Sequence, residues 1–447
     1  MRVTITAAAP VRVGGREQQV TKLEFVQHEG MVHVVSPTKL GELLLGKSER
    51  TLEDWNVEVL TKGQGANLTA FLRGQDLLSA DSVREIARYS AASSRPGMNQ
   101  FQPHARDGRG TVFIPGSALK GAIWATVLWK LVDEERANRY VRDNAGGRPR
   151  FYARRLDQEV LQSYRLPGRE LRAGPNFDLL RAVKVSDGYG SLETQVEKIL
   201  IQSYLEGRGG ERRTTLGASE TVYAECLVPG SWAEFDLSVD RKILALFHKR
   251  NNDLPFSDER TLLALVQNFY DEVWGFERRY YGVEADSASV SEAPLASSEP
   301  PSFEEWLRQV KGIEAESLSR RKRRPYQAEY RRTFDLFESS DGKEQRSSTP
   351  EKPARSAGVQ DGEVKVRKIR EYYASPCPGF RLGWGSGLTG TTVDMHLNAE
   401  NMGKVLRLIS NRHHRGEPRD GPKSRKLVES EGRPRWPMGW ARLEAPE

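Results

Sequence analysis

In Gly383-Trp384-Gly385-Ser386-Gly387 every second residue is glycine, and Gly379 and Gly390 flank the run. A stretch this bare is a poor helix and a poor strand, because glycine loses more conformational freedom on ordering than any other residue. It reads as a loop whose backbone turns with positive φ or lies flush against another molecule. Successive N–H groups in such a loop form a concavity suited to anions such as phosphate. Arg381 then adds a charged fork at the rim, and Trp384 a flat face on which a base can stack. The plain alternative is a turn between two strands. The spacing is not a nucleotide fingerprint: the Lys-Ser/Thr ending of a P-loop is missing, and no strand–G-x-G-x-x-G–helix order surrounds the run.

A second stretch, Thr111-Val112-Phe113-Ile114-Pro115-Gly116-Ser117-Ala118-Leu119-Lys120-Gly121, reads as a strand turning sharply into an apolar helix that runs to about Leu131. Ser117 is the expected N-cap. Lys120 falls in the first turn, where the helix dipole already places positive charge, so an anion docked on the helix N-terminus would explain it. Gly121 costs about 1 kcal/mol relative to alanine inside a helix, so a close neighbour is expected there. The alternative is a strand-to-helix corner with a solvent-facing lysine.

With 447 residues the chain has room for two or three domains, or for one domain with large insertions. Its net charge of +7, carried largely by arginine, makes nucleic acid the first candidate partner. Two cysteines far apart, Cys226 and Cys377, argue against a disulfide framework or a cysteine-based zinc site, and point to a reducing, cytoplasmic location. No His/Cys/Asp spacing matches a metal site, and no cofactor is expected. The opening residues lack a signal-peptide core, and no apolar run has the length of a membrane span.

Along the chain, Val3 to Ala8 alternates like a strand and ends in the turn Pro10-Val11-Arg12-Val13-Gly14-Gly15. Leu23–Val26 and Val32–Val35 form a hairpin closed by Gly30, and small helices follow up to about Tyr89. Thr221–Val228 and Trp232–Leu237, joined by Pro229-Gly230, read as a second hairpin. The apolar stripe Leu262, Leu265, Val266, Phe269, Val273 and Phe276 marks a long helix over Thr261–Tyr280. Residues 284–302 and 338–363 have the composition of flexible segments, and the run Arg320-Arg321-Lys322-Arg323-Arg324 lies between them.

Taken in order, these pieces resemble the RAMP superfamily of CRISPR effector proteins. The marks are the N-terminal strand with its Pro-Val-x-x-Gly turn, the Ile114-Pro115-Gly116-Ser117-x-Leu119-Lys120-Gly121 corner, and the Val185-Ser186-Asp187 strand end. The Glu225…Pro229-Gly230 hairpin and the late Gly-x-Gly-x-Gly loop complete the set. The loop's form and the Pro437-Met438-Gly439-Trp440 ending are most similar to the fifth Csm subunit of type III-A systems. The resemblance implies an α+β fold, a ferredoxin-like (RRM-type) βαββαβ core with large helical and disordered insertions. Its first part is expected over 1–283 with a helical insertion around 37–110, then a flexible charged insertion over 284–363, then the rest of the core over 364–447. The implied function is a non-catalytic backbone subunit that binds CRISPR RNA and caps the 3′ side of the Csm complex, supporting guide maturation and antiviral defence. Other Csm backbone and small subunits are the implied partners, with host nucleases as further candidates, and no membrane. The expected RNA-binding residues are Arg12, Gly14, Ser117, Lys120, Gly121, Arg381, Gly383, Trp384, Gly385, Ser386 and Gly387, with both glycine motifs meeting at one edge of the sheet.

The rival class is a RAMP-type endoribonuclease acting on guide or target RNA. General acid–base cleavage needs a positioned His, Lys or Tyr at the phosphate. Of the seven histidines none lies in either glycine motif. His413-His414 are the first candidates, although neighbouring side chains point in different directions, and His104 with Asp107 is a second pair.

Overall fold

A computed structural model describes residues 1–15, 19–93, 95–143, 156, 158–162, 175–206, 212–215, 222–247, 254–281, 283, 369–386, 394–398, 400–402, 404–405, 424–430 and 433–445. The expected insertion over 284–363, with Arg320–Arg324, lies outside the described residues.

Alternation in Arg2–Ala7 (β1) sends Val3, Ile5 and Ala7 inward, and the same period in Trp232–Val239 (β3) buries Ala233, Phe235, Leu237 and Val239. With Val183–Val185 (β2) and Trp440–Glu444 (β4) they form an antiparallel sheet in the order β4-β1-β3-β2. Phe380–Arg381 extends it beyond β4, and Tyr189–Ser191 pairs with the start of β3. Two helices cover the inward face: Gly116–Leu131 (α1), between β1 and β2, and Glu259–Tyr280 (α2), between β3 and β4. The order of elements is βαββαβ and the strand order is ferredoxin-like, as expected. The long helix starts with a capping box, in which Asp258 accepts from the Thr261 N–H and the Thr261 hydroxyl reaches back to the cap.

An eight-stranded sheet is built on Thr194–Glu206, which pairs with Ser424–Ser430, Arg212–Thr215 and Val222–Leu227, and in parallel with Ala87–Ala92. The hairpin Phe25–His28/Met31–Val35 joins it, closed by Glu29 and Gly30, both at positive φ. The helices Pro37–Lys47, Glu49–Lys62, Leu68–Gly74 and Ala80–Ile86 pack on this hairpin around Trp55, Phe71 and Leu72. The helical insertion therefore ends at Ile86, and the chain from Ala87 is a strand rather than the expected tail of a helix.

The second hairpin expected from the sequence is also overturned. Val222–Leu227 and β3 are no hairpin: the first pairs with Thr194–Glu206 in the eight-stranded sheet, the second with β1 in the other. Val228–Ser231 is a crossing between sheets. Arg433–Pro437 and β4 repeat this arrangement across Met438-Gly439. Alternation reports strands and their turn, but not which partner each strand finds. Among the described residues no helix is long and apolar enough to cross a membrane.

Candidate nucleic-acid interface

The Pro115-Gly116 corner does put a helix N-terminus next to a sheet edge, but with different residues in the key roles. Pro115 is the N-cap position and Ser117 lies exposed within the first turn, so Ser117 is not the cap. The Gly116 N–H donates to Asp187 Oδ1 at 2.8 Å, so the protein's own carboxylate already sits on the positive end of the helix. Lys120 Nζ donates to the Val183 carbonyl at 2.8 Å, and burial lowers its pKa. Gly121 has open space where a Cβ would stand, whereas a Cβ on Gly116 would lie 2.4 Å from the Ser186 carbonyl oxygen. The close approach that the corner requires is therefore at Gly116, where α1 crosses the end of β2.

The glycine loop also packs inward. Gly383, at φ +74, has the Arg12 carbonyl oxygen 2.2 Å from the site of a Cβ, and Gly385 would meet Met438 Cβ at 2.8 Å. The Trp384 N–H donates to the Arg12 carbonyl at 2.7 Å, the Leu382 N–H to Gly439 at 2.7 Å, and the buried Ser386 N–H to Gly383 at 3.4 Å. These donors close the turn on itself and on Pro10–Val13, so over 382–386 they do not form the open anion hollow expected. Arg381 is no rim residue either. At 2% exposure it lies between Trp440 and Glu277, 3.8 Å from Glu277 Oε1, and donates to the Met438 carbonyl. Gly387, His413 and His414 lie outside the described residues.

Nor do the two motifs share an edge. Lys120 binds β2 at one side of the six-stranded sheet, and Arg381 lies on the strand beyond β4 at the other. Four strand spacings separate them, roughly 19 Å.

What the loop does assemble is a cationic column on Trp384. Arg12 folds back over Gly14, its guanidinium carbon 5.5 Å from the centre of the Trp384 ring, and Lys426 Nζ lies 4.4 Å from the same ring. Arg12 is only 7% exposed, and its Nε has no hydrogen-bond partner among the described residues. Burial lowers the pKa of both cations, and Arg381 and Arg12 push that of Lys426 down further. Among the described residues no carboxylate lies within 4 Å of either.

His104 and Asp107 serve the adjoining loop rather than forming a catalytic pair. Asp107 accepts from the N–H groups of Arg109 and Thr111. His104 is buried, and its backbone N–H donates to Glu225, which also accepts from Arg106 and Thr194. Burial pushes the imidazole down to about 4, so the folded chain keeps it neutral where the unfolded chain protonates it. Stability is thus intact above about pH 6.5 and declines as pH falls toward 4, by about 3 kcal/mol from this group. Denaturant unfolding measured from pH 7 to pH 4 should show that decline, and a His104→Asn variant should show a shallower one. Equal slopes would refute the assignment.

Sequence reasoning missed Lys426, Asp187 and Glu277. Glu277 had a signal: it continues the Val266, Tyr270, Val273 stripe at helical spacing and is 1% exposed. Lys426, in a short charged strand, had none.

No family model matches the sequence, and no curated protein matches it. Solved structures do. A chain of the Csm–crRNA–target RNA ternary complex of a type III-A CRISPR–Cas system superposes with a TM-score of 0.54 at 18% identity, over 99% of this chain and 100% of that one. Csm5 of T. onnurineus gives a TM-score of 0.45 at 18% identity, over 64% and 84% respectively. With its β4-β1-β3-β2 sheet, its two covering helices and its superposition on the first of these, the chain shares the α+β fold of a chain of that Csm complex.

Proposed function

We propose that this protein is a crRNA-binding backbone subunit of a type III-A effector complex, a non-catalytic scaffold that holds the guide by its sugar-phosphate chain at the 3′ side. The observation that carries the reading is the column of Arg12 and Lys426 on Trp384, where two cations gather and neither makes an ion pair among the described residues, Glu225 acting on Arg12 only from a greater distance. Like charges crowded together and partly desolvated are stabilised by an external anion, and a neighbouring indole suits a base or ribose. The fold likeness and the net charge of +7 agree with such a ligand.

The experiment is RNA affinity as a function of salt. In Lys426→Met, which keeps the stem over Trp384, the slope of log affinity against log salt should flatten by about 0.7, the value for one lost contact to single-stranded RNA. An unchanged slope with intact folding would overturn the phosphate contact. Labelled guide precursor and target RNA incubated with the protein, with and without Mg²⁺, should stay intact; cleavage abolished by a His413/His414 double alanine variant would replace the scaffold with a ribonuclease.

A further inference from the structure

A cavity of about 470 Å³ opens beside the short ladder of Val20–Thr21 with Gln100–Phe101, and none of its lining residues is charged. Four amide-bearing residues line it, Gln19, Asn99, Gln100 and Gln102, of which Gln19 donates its amide N–H to Gln100 Oε1, together with half-buried Tyr223 and buried Met98. In a chain of which 29% is charged, an amide-rich pocket without a charge is distinctive. A phosphate would find no cation in the lining. An amide presents a donor and an acceptor side by side, the pattern that pairs with the edge of adenine, and a phenol ring offers a stacking face. The volume lies within the range of small-ligand pockets, roughly 300–1,000 Å³.

The backbone around the cavity is fixed. The Gln102 N–H donates to the Tyr223 carbonyl at 2.9 Å, and the Gln102 carbonyl accepts from the Glu225 N–H at 2.8 Å. The strand Val222–Leu227 therefore carries the cavity at its start, and Leu227 at its end pairs with Val11, next to Arg12. Four residue steps of strand separate Tyr223 from Leu227, roughly 14 Å. An RNA strand that reaches the Arg12–Trp384–Lys426 column runs close to the cavity.

We infer that this cavity receives one unpaired adenine base, read on its edge by the Gln102 and Asn99 amides, and so adds a base preference to an interface that otherwise holds phosphates. The inference rests on the RNA-binding reading above. Its test compares short oligoadenylate, oligouridylate and oligocytidylate of equal length at one salt concentration, on the full chain. Oligoadenylate should bind about tenfold tighter than the other two, a bidentate contact discriminating by about 1–3 kcal/mol. In Gln102→Leu the preference should vanish while the affinity for oligouridylate stays; Asn99→Leu, at an exposed position, gives a second variant should the first fold poorly. Equal binding of all three oligonucleotides, or a preference that survives both substitutions, overturns the base pocket alone. Failure of all three to bind overturns it together with the proposed function.

Discussion

Replacing Glu277 by alanine is expected to cost this fold about 3–5 kcal/mol, as much as truncating a large buried aromatic on the same helix. Glu277 is 1% exposed and faces two buried arginines: Arg425 Nε donates to its Oε2 at 2.9 Å, and Arg381 lies 3.8 Å from Oε1. The Tyr373 hydroxyl also approaches it, at 3.4 Å, and Tyr373 in turn takes the indole N–H of Trp440. Alanine removes the carboxylate but leaves both guanidinium groups in the core, where an uncompensated charge is penalised more than the intact pair ever stabilised. The thermal midpoint should fall by about 5 °C, and urea unfolding at pH 7 should show the same loss. Glu277→Gln keeps the volume and loses only the charge, so a loss close to that of alanine identifies the electrostatic part as dominant. A change under 1 kcal/mol in both variants would show that the arginines are compensated elsewhere.

This cluster also shows where reading the sequence alone reached its limit. Periodicity carries the strands and the long helix because burial of alternate or every third-to-fourth residue is a local constraint, visible in Val3, Ile5 and Ala7 and in Leu262 to Val273. Motif order carried the sheet topology. The fine structure of the site was not local. An arginine beside glycines reads as a rim residue because isolated charges stay in water. Arg381 instead meets a glutamate about a hundred positions earlier, which no spacing announces. In the same way the anion expected on α1 is present, but as Asp187 from the end of β2 rather than as a ligand. The pair that does assemble, Arg12 with Trp384, was named from two separate motifs for two separate reasons, and Lys426 enters only through the register of its strand on Thr194–Glu206.

Gly383→Ala should lower stability by about 3 kcal/mol and RNA affinity with it, whereas Gly121→Ala should raise stability by up to about 1 kcal/mol. Both glycines read alike in the sequence, as places where something lies close. In the fold they differ. Gly383 has φ +74, a region that costs an L-residue roughly 1–2 kcal/mol, and its Cβ would stand 2.2 Å from a backbone oxygen, that of Arg12. Backbone cannot swing aside as a side-chain tip does, so an overpacking cost of about 1–3 kcal/mol adds to the strain. Relief requires the loop to lift from Pro10–Val13, which breaks the 2.7 Å bond from the Trp384 N–H to the Arg12 carbonyl and draws the indole away from Arg12 and Lys426. Gly121 sits in an ordinary helical conformation with nothing within 4 Å of a Cβ, so alanine there removes only the entropy that glycine gives the unfolded chain. Denaturant unfolding of the two variants side by side, with RNA affinity measured at one salt concentration, separates the roles. Gly383→Ala with normal stability and normal affinity would mean that the loop does not hold Trp384 in place, and the cationic column would lose its structural basis.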